Sequence, residues 1–226
     1  ISYKYKTRNE FTLKDCNIKI NRGETIGIIG TTGSGKSTLS DILMGLLSTS
    51  KGNFLIDGRL INKEFSNYYL SEWRKCIAHV PQQVYLKNES ILSNILEVNS
   101  QENENSNERL ERVLDVSNVR TFLPSLENGI QTYVGDSGIR LSGGQKQRIG
   151  IAKALNRGKP ILFLDEGTSS LDALTEKEIL KNIKKNYPKT TIIMITHNTK
   201  NLSYCDRVFE VKNGSTKELF KPFSKK

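Results

Sequence analysis

The stretch Gly30-Thr31-Thr32-Gly33-Ser34-Gly35-Lys36-Ser37-Thr38 constrains this chain more than any other, because it fits the pattern GxxxxGK[ST]. It follows the apolar run Thr25-Ile26-Gly27-Ile28-Ile29 and leads into the helical-looking Leu39-Ser40-Asp41-Ile42-Leu43-Met44. The segment therefore predicts a strand, a glycine loop and a helix that begins near Lys36. Glycines let such a loop curl until several backbone N–H groups point at one anion, and the helix start adds unpaired N–H groups and the positive end of its dipole. The product is a phosphate cradle. Lys36 is placed to reach the β- and γ-phosphates of a nucleotide, and the Ser37 hydroxyl to ligate the accompanying Mg²⁺. Thr32, Gly33, Ser34, Gly35 and Thr38 complete the candidate nucleotide-binding set.

At 226 residues the chain is long enough to bury a core of its own and short enough to be one domain. Its uninterrupted apolar runs are only a few residues long, far below the roughly 20 residues of a membrane span, so the chain is expected to be soluble. Ile1 opens no signal peptide, and the strand-like Ile1-Ser2-Tyr3-Lys4-Tyr5 without an initiator methionine predicts a longer protein with sequence upstream. Cys16, Cys76 and Cys205 lie far apart without ligand spacing, which predicts free thiols in a reducing compartment. The net charge of +10 comes from basic residues spread along the chain, with mild enrichment over 212–226. No dedicated nucleic-acid partner is expected; a lysine-rich background composition, together with a domain that handles a polyanionic nucleotide near a lipid surface, is the simpler account of the charge.

Residues 1–29 read as a small antiparallel β unit, with alternation at Tyr3 and Tyr5 and again over 13–20. Of the two aromatics, Tyr5 is the candidate to stack on an adenine face, with simple packing on the β unit as the alternative. Residues 51–58 predict a strand ending in the Asp57-Gly58 turn, residues 68–75 a short amphipathic helix, and Cys76-Ile77-Ala78-His79-Val80 a buried strand stopped by Pro81. Gln82 follows at that strand's C-terminal end, where open α/β sheets bind ligands. Residues 84–157 read as a helical insertion with helices near 90–96 and 107–116 and a polar loop over 99–105. Within it, Leu141-Ser142-Gly143-Gly144-Gln145 opens a basic helical segment; Ser142 suits an N-cap, and the glycines leave backbone N–H groups bare at a second anion site.

Pro160-Ile161-Leu162-Phe163-Leu164-Asp165-Glu166 then reads as a buried parallel strand ending in two carboxylates. Asp165 is the candidate to hold Mg²⁺, and Glu166 to polarise the water that attacks the γ-phosphate. A helix over 173–187, a strand over 191–195, His197 just past its end, a final strand near 207–211 and a polar tail complete the chain.

Taken in order, these motifs resemble the nucleotide-binding domain of ABC transporters from Tyr5 to about Gly214. Gly30 to Ser37 match the Walker A loop, Val80-Pro81-Gln82 the Q-loop, Leu141 to Gln145 the signature, Ile161 to Asp165 with Glu166 the Walker B strand, Ser169-Ser170-Leu171-Asp172 the D-loop, and Thr196-His197 the switch histidine. The resemblance implies a P-loop NTPase (RecA-like) α/β core over 1–83 and 158–226, with a mainly parallel sheet and an N-terminal antiparallel β subdomain. The inserted α-helical subdomain is 84–157. It also implies ATP and Mg²⁺ as cofactors and a head-to-tail dimer in which each ATP lies between one phosphate loop and the partner's signature. Gln82 would sense Mg²⁺ and the attacking water, His197 would contact the γ-phosphate, Ser142 to Gln145 would face the partner's nucleotide, and Asp172 would communicate across the dimer.

Within the family, Thr132-Tyr133-Val134-Gly135-Asp136-Ser137-Gly138 is similar in frame to an exporter segment that contacts transmembrane coupling helices, although Tyr133 and Ser137 replace the usual acid and arginine. Gly167 stands where alanine is common. The segment from Pro81 to Leu86, with Glu89-Ser90-Ile91, resembles bacterial exporters of lipid-linked oligosaccharides. These features imply an ATPase fused downstream of a transmembrane domain, at the cytoplasmic face of a bacterial inner membrane, exporting or flipping a lipid or lipid-linked saccharide. An importer subunit and an ABC ATPase of DNA maintenance are the alternatives. Against the latter, 105 residues separate Lys36 from Leu141, with no long heptad coiled coil between them.

Overall fold

A computed structural model of the chain describes residues 1–7, 9–61, 66–96, 106–197 and 199–219. The elements of the first half are β1 (Thr25–Ile29), α1 (Lys36–Leu43), β2 (Leu55–Ile56), β3 (Arg59–Leu60), α2 (Ser66–Lys75), β4 (Ile77–Val80) and α3 (Ile91–Leu96). The second half holds α4 (Ser106–Val116), α5 (Gly143–Asn156), β5 (Ile161–Asp165), α6 (Ala173–Asn186), β6 (Thr191–Ile195), β7 (Arg207–Lys212) and β8 (Ser215–Leu219), with short 3-10 turns between. This is the α/β P-loop fold with a mainly parallel, mixed sheet. The chain divides into two compact units, residues 1–77 with 191–226, and residues 78–190. The second takes in the helical segment expected over 84–157 and also β5 and α6.

In the first unit β1 is flanked on both sides by parallel neighbours, β6 (Thr25 opposite Ile192 through Ile28 opposite Ile195) and β7 (Ile26 opposite Arg207 through Ile29 opposite Glu210). A strand covered on both faces needs a continuous apolar run rather than alternation. Ile26 and Ile28 are accordingly fully buried, and Ile192 to Ile195 of β6 nearly so. Thr196 extends the pairing, donating its N–H to Ile28 O at 3.2 Å.

Three expectations for this unit are corrected. The tail is not merely polar: β8 pairs antiparallel with β7, with Lys212 opposite Ser215. The two residues between them, Asn213 and Gly214, have φ of 49° and 77°, the left-handed pair that a type I′ hairpin demands. Residues 13–20 form no strand, and the N-terminal antiparallel pairing is reduced to isolated bridges, Ser2 to Lys51 and Tyr3 to Leu13. The hairpin turn takes up the segment's backbone groups instead: Lys14 N–H donates to Gly214 O (2.7 Å), Asn17 N–H to Thr216 Oγ1 (3.0 Å), and Ser215 Oγ to Lys14 O (2.9 Å). Residues 51–58 hold only the two-residue β2, which pairs with β3 around Asp57-Gly58.

Gly214 is needed twice over. Its φ is positive, and a Cβ there would lie 2.5 Å from the backbone oxygen of Thr12. Gly214→Ala is therefore expected to lower stability by more than about 1 kcal/mol, read as a drop in the denaturant midpoint; an unchanged midpoint would show that the N-terminal segment does not depend on this turn.

In the second unit β4 lies beside β5, and Leu162, Phe163 and Leu164 of β5 are buried to 1% exposure or less. Helix α5 packs against α3 and α4, and α4 also against α6. The expected helices over 90–96 and 107–116 are α3 and α4 to within a residue. The polar loop over 99–105 lies outside the described residues. Among the described residues no helix is long and apolar enough to cross a membrane, and all three cysteines are free thiols, with Cys16 buried.

Candidate nucleotide site

The phosphate loop runs from the end of β1 into α1. Gly33 and Gly35 have φ of 78° and 109°, a region L side chains rarely adopt. Gly35 is the N-cap of α1 and makes no side-chain cap hydrogen bond, so no cap residue competes with an anion for the N–H groups of the helix start. Lys36 is buried at 7% exposure, and its ammonium donates to the carbonyls of Gly30 and Thr31 at 2.8 Å each, drawing the cation back across the loop. Ser34 Oγ is buried and makes no hydrogen bond among the described residues. Thr32, Gly33 and Ser37 are exposed, and a side chain at Gly33 would meet nothing within 4 Å. Cation, hydroxyls, backbone donors and the absence of any carboxylate from residues 30–38 fit a polyphosphate, and the Ser37 hydroxyl is a hard oxygen of the kind Mg²⁺ takes.

Two more candidates belong to this unit. The Tyr5 hydroxyl shares a 3.1 Å hydrogen bond with Thr38 Oγ1 in the first turn of α1, and its ring stands edge-on to Tyr3 with centroids 4.9 Å apart. The sequence spacing did not reveal that link, which ties the aromatic to the phosphate loop. His197 is exposed, two residues beyond the end of β6.

The second unit gathers the remaining candidates. Asp165 ends β5 and Glu166 follows it, both half-buried. Glu166 has φ of 48°, strained for a residue with a Cβ, and such strain persists only where surroundings over-determine it. Its Oε2 accepts a 2.7 Å hydrogen bond from Gln82 Nε2, so two candidates separated by 84 positions in sequence meet. The glycine at 167, a departure from the family pattern, has a steric reason: a Cβ there would come within 2.9 Å of Val80 Cγ1 and 3.1 Å of Val80 O.

Ser142 caps α5 as expected, in a reciprocal capping box: Gln145 N–H donates to Ser142 Oγ (3.2 Å) and Ser142 N–H to Gln145 Oε1 (2.8 Å). Gln145 is thereby committed to its own helix start. Asp172 caps α6, accepting from Leu174 and Thr175 N–H at 3.1 and 3.0 Å, and the Thr175 N–H above all holds its carboxyl below the usual aspartate value. A cleft of about 530 Å³ is lined by Ser142, Gly143, Gly144, Arg148, Ser170 and Asp172. Arg148 stacks on Phe122, 4.6 Å from the ring centre, and burial pushes its guanidinium below the usual value.

One residue the sequence reading passed over is Gln147, buried at 2% exposure. Its amide reaches Glu166, Ser169 and Ser170. A polar side chain in register with Ile151 and Ala154 on the apolar face of α5 was the signal available in the sequence.

The fold and this loop define a P-loop nucleoside triphosphatase. The chain belongs to the ABC transporter family: the model of the family described as "ABC transporter" matches residues 13–169. It is 34% identical over 218 residues to an ATP-dependent lipid A-core flippase of Pasteurella multocida (strain Pm70), covering 96% of this chain and 36% of that protein. A protein of the same description from Pseudoalteromonas translucida (strain TAC 125) is 37% identical over 219 residues, covering 96% of this chain and 37% of that one. Among solved structures, a bacterial Atm1-family ABC exporter with ATP bound superposes with a TM-score of 0.86 at 29% identity, covering 96% of this chain and 37% of that chain. This chain thus spans a little over a third of the length of these relatives.

Proposed function

We propose that the chain is the ATP-binding and ATP-hydrolysing domain of an ABC exporter, in which ATP-driven closure of two such domains moves an attached transmembrane domain. The observation that carries the reading is that one chain holds two anion devices: an uncapped α1 behind a glycine loop with a buried lysine, and a Ser-capped α5 whose glycines line an open cleft. Two copies arranged head to tail would let each device meet the other's nucleotide. Lys36 and the N–H groups of residues 33–38 bind phosphate, Tyr5 stacks on the base, and His197 contacts the γ-phosphate. Ser37, Asp165 and Gln82 supply the oxygens that would hold Mg²⁺, which neutralises phosphate charge when bound. Glu166 takes the proton of the attacking water, Gln82 orients that carboxylate, and Asp172 signals across the dimer. ATP favours the closed pair and loss of the γ-phosphate releases it.

The relatives' flippase and exporter descriptions support the export direction and a lipid or lipid-linked saccharide as the substrate class, with a transmembrane domain upstream of residue 1 at the cytoplasmic face of the membrane. Phosphate release from Mg-ATP by the purified chain tests the engine, and no turnover at any protein concentration overturns it. The gene upstream of residue 1 tests the exporter: roughly six apolar spans of about 20 residues support it, and an immediate start codon sinks it.

A further inference from the structure

Gln147 has no part in the function proposed above, yet its amide is fully employed inside the second unit. Nε2 donates to Glu166 O at 3.3 Å and to Ser169 Oγ at 3.2 Å, while Oε1 accepts from Ser170 N–H at 2.7 Å. A primary amide is the one neutral group that meets two acceptors and a donor in this way; a leucine meets none, and a carboxylate has no proton to give. The loop it grips is the strained one. Glu166 sits at φ 48°, its carbonyl shared between Gln147 and Ser169 N–H (2.9 Å), while Gln82 holds its carboxylate from the other side.

Helix α5 also lies directly on that loop. A Cβ at Gly143 would be 3.3 Å from Ser170 Cβ, and one at Gly144 only 3.2 Å from Ser170 O. The two glycines of the signature therefore let the helix start approach the loop closely, and Gln147, one turn on, pins it. Glu166, the 169–170 loop and the start of α5 are thus packed and hydrogen-bonded together.

We infer that Gln147 is a positioning residue: it fixes the backbone of Glu166 from the signature helix, so that engagement of the N-terminus of α5 is transmitted to the carboxylate that activates water. The inference rests on the proposed role of Glu166 as base. It places the coupling in a hydrogen-bonded side chain buried behind the site, where no contact with nucleotide is required.

The test uses steady-state phosphate release by the purified protein against Mg-ATP for Gln147→Leu and Gln147→Glu. Gln147→Leu is expected to lower kcat by roughly 10- to 100-fold, the range for a catalytic group displaced by about 1 Å, with KM for Mg-ATP within about twofold of wild type. Gln147→Glu adds a readout that a merely structural role would not move. Ionised, its carboxylate faces the Glu166 carbonyl without a donor; protonated, it regains a donor and keeps an acceptor, and burial favours the protonated form. Its kcat relative to wild type should therefore rise as pH is lowered, at constant KM. If Gln147→Leu does not fold, this pH profile decides alone. Wild-type kcat in both variants, or a Gln147→Glu deficit that is flat with pH, overturns the inference. A wild-type protein that hydrolyses ATP, with Glu166→Gln slow but the Gln147 variants at full rate, sinks this proposal alone; Glu166→Gln at full rate sinks the role of the base itself.

Discussion

Glu166→Gln slows ATP hydrolysis by roughly 10² or more, the range for losing a general base, and leaves Mg-ATP affinity unchanged. The substitution is matched in size to a half-buried site, and the new amide oxygen can still accept from Gln82 Nε2, which lies 2.7 Å from Glu166 Oε2. The backbone at φ 48° is held by bonds to the Glu166 carbonyl, from Ser169 N–H and Gln147 Nε2, which the change does not touch. What disappears is the capacity to take a proton. Single-turnover phosphate release gives the rate, and calorimetry with Mg-ATP the affinity. ATP-promoted association should persist in the variant, because nucleotide is bound but not consumed. Full turnover by Glu166→Gln would remove Glu166 from the mechanism; lost affinity would recast it as a binding group.

The phosphate loop was legible because its information is local: strand, glycines and helix start follow one another within fifteen positions, and β1, the loop and α1 fall where the pattern puts them. The capped start of α5 was legible for the same reason, since Ser142 bonds to the N–H three residues on; Asp172, expected only to act across a dimer, caps α6 through equally local bonds. Alternation over 13–20 misled, because period-2 patterning says that a segment can join a ladder but not that a partner edge is free; here the β7–β8 turn occupies it. That turn was itself written in the chain as Asn213-Gly214, the strongest short-range hairpin signal, and was overlooked among polar neighbours. The strain at Glu166, its bond to Gln82 and the grip of Gln147 were not legible, since each arises only when residues distant in sequence are packed together.

Lys36→Ala should weaken Mg-ATP binding by roughly 10- to 100-fold, corresponding to the loss of a charge-assisted hydrogen bond of about 1.5–3 kcal/mol. In the structure the ammonium is buried and donates to Gly30 O and Thr31 O at 2.8 Å each. A phosphate oxygen is a better partner than a carbonyl because it carries charge, so nucleotide would draw the same ammonium off the loop's own acceptors. Truncation at Lys36 removes both partnerships, and therefore two effects must be separated. Without nucleotide, Lys36→Ala takes the ammonium from Gly30 O and leaves Thr31 O with the Ser34 N–H at 3.2 Å, and lowers the melting temperature a little; with Mg-ATP, it forfeits most of the upward shift that a ligand of the native state confers on wild type. Lys36→Arg divides the terms, since its guanidinium can still reach carbonyls while its planar fork suits the tight cradle poorly; it should recover basal stability more fully than affinity. Unchanged calorimetric affinity in Lys36→Ala would mean that this loop does not hold the phosphates, and the assignment of residues 30–38 would fall with it.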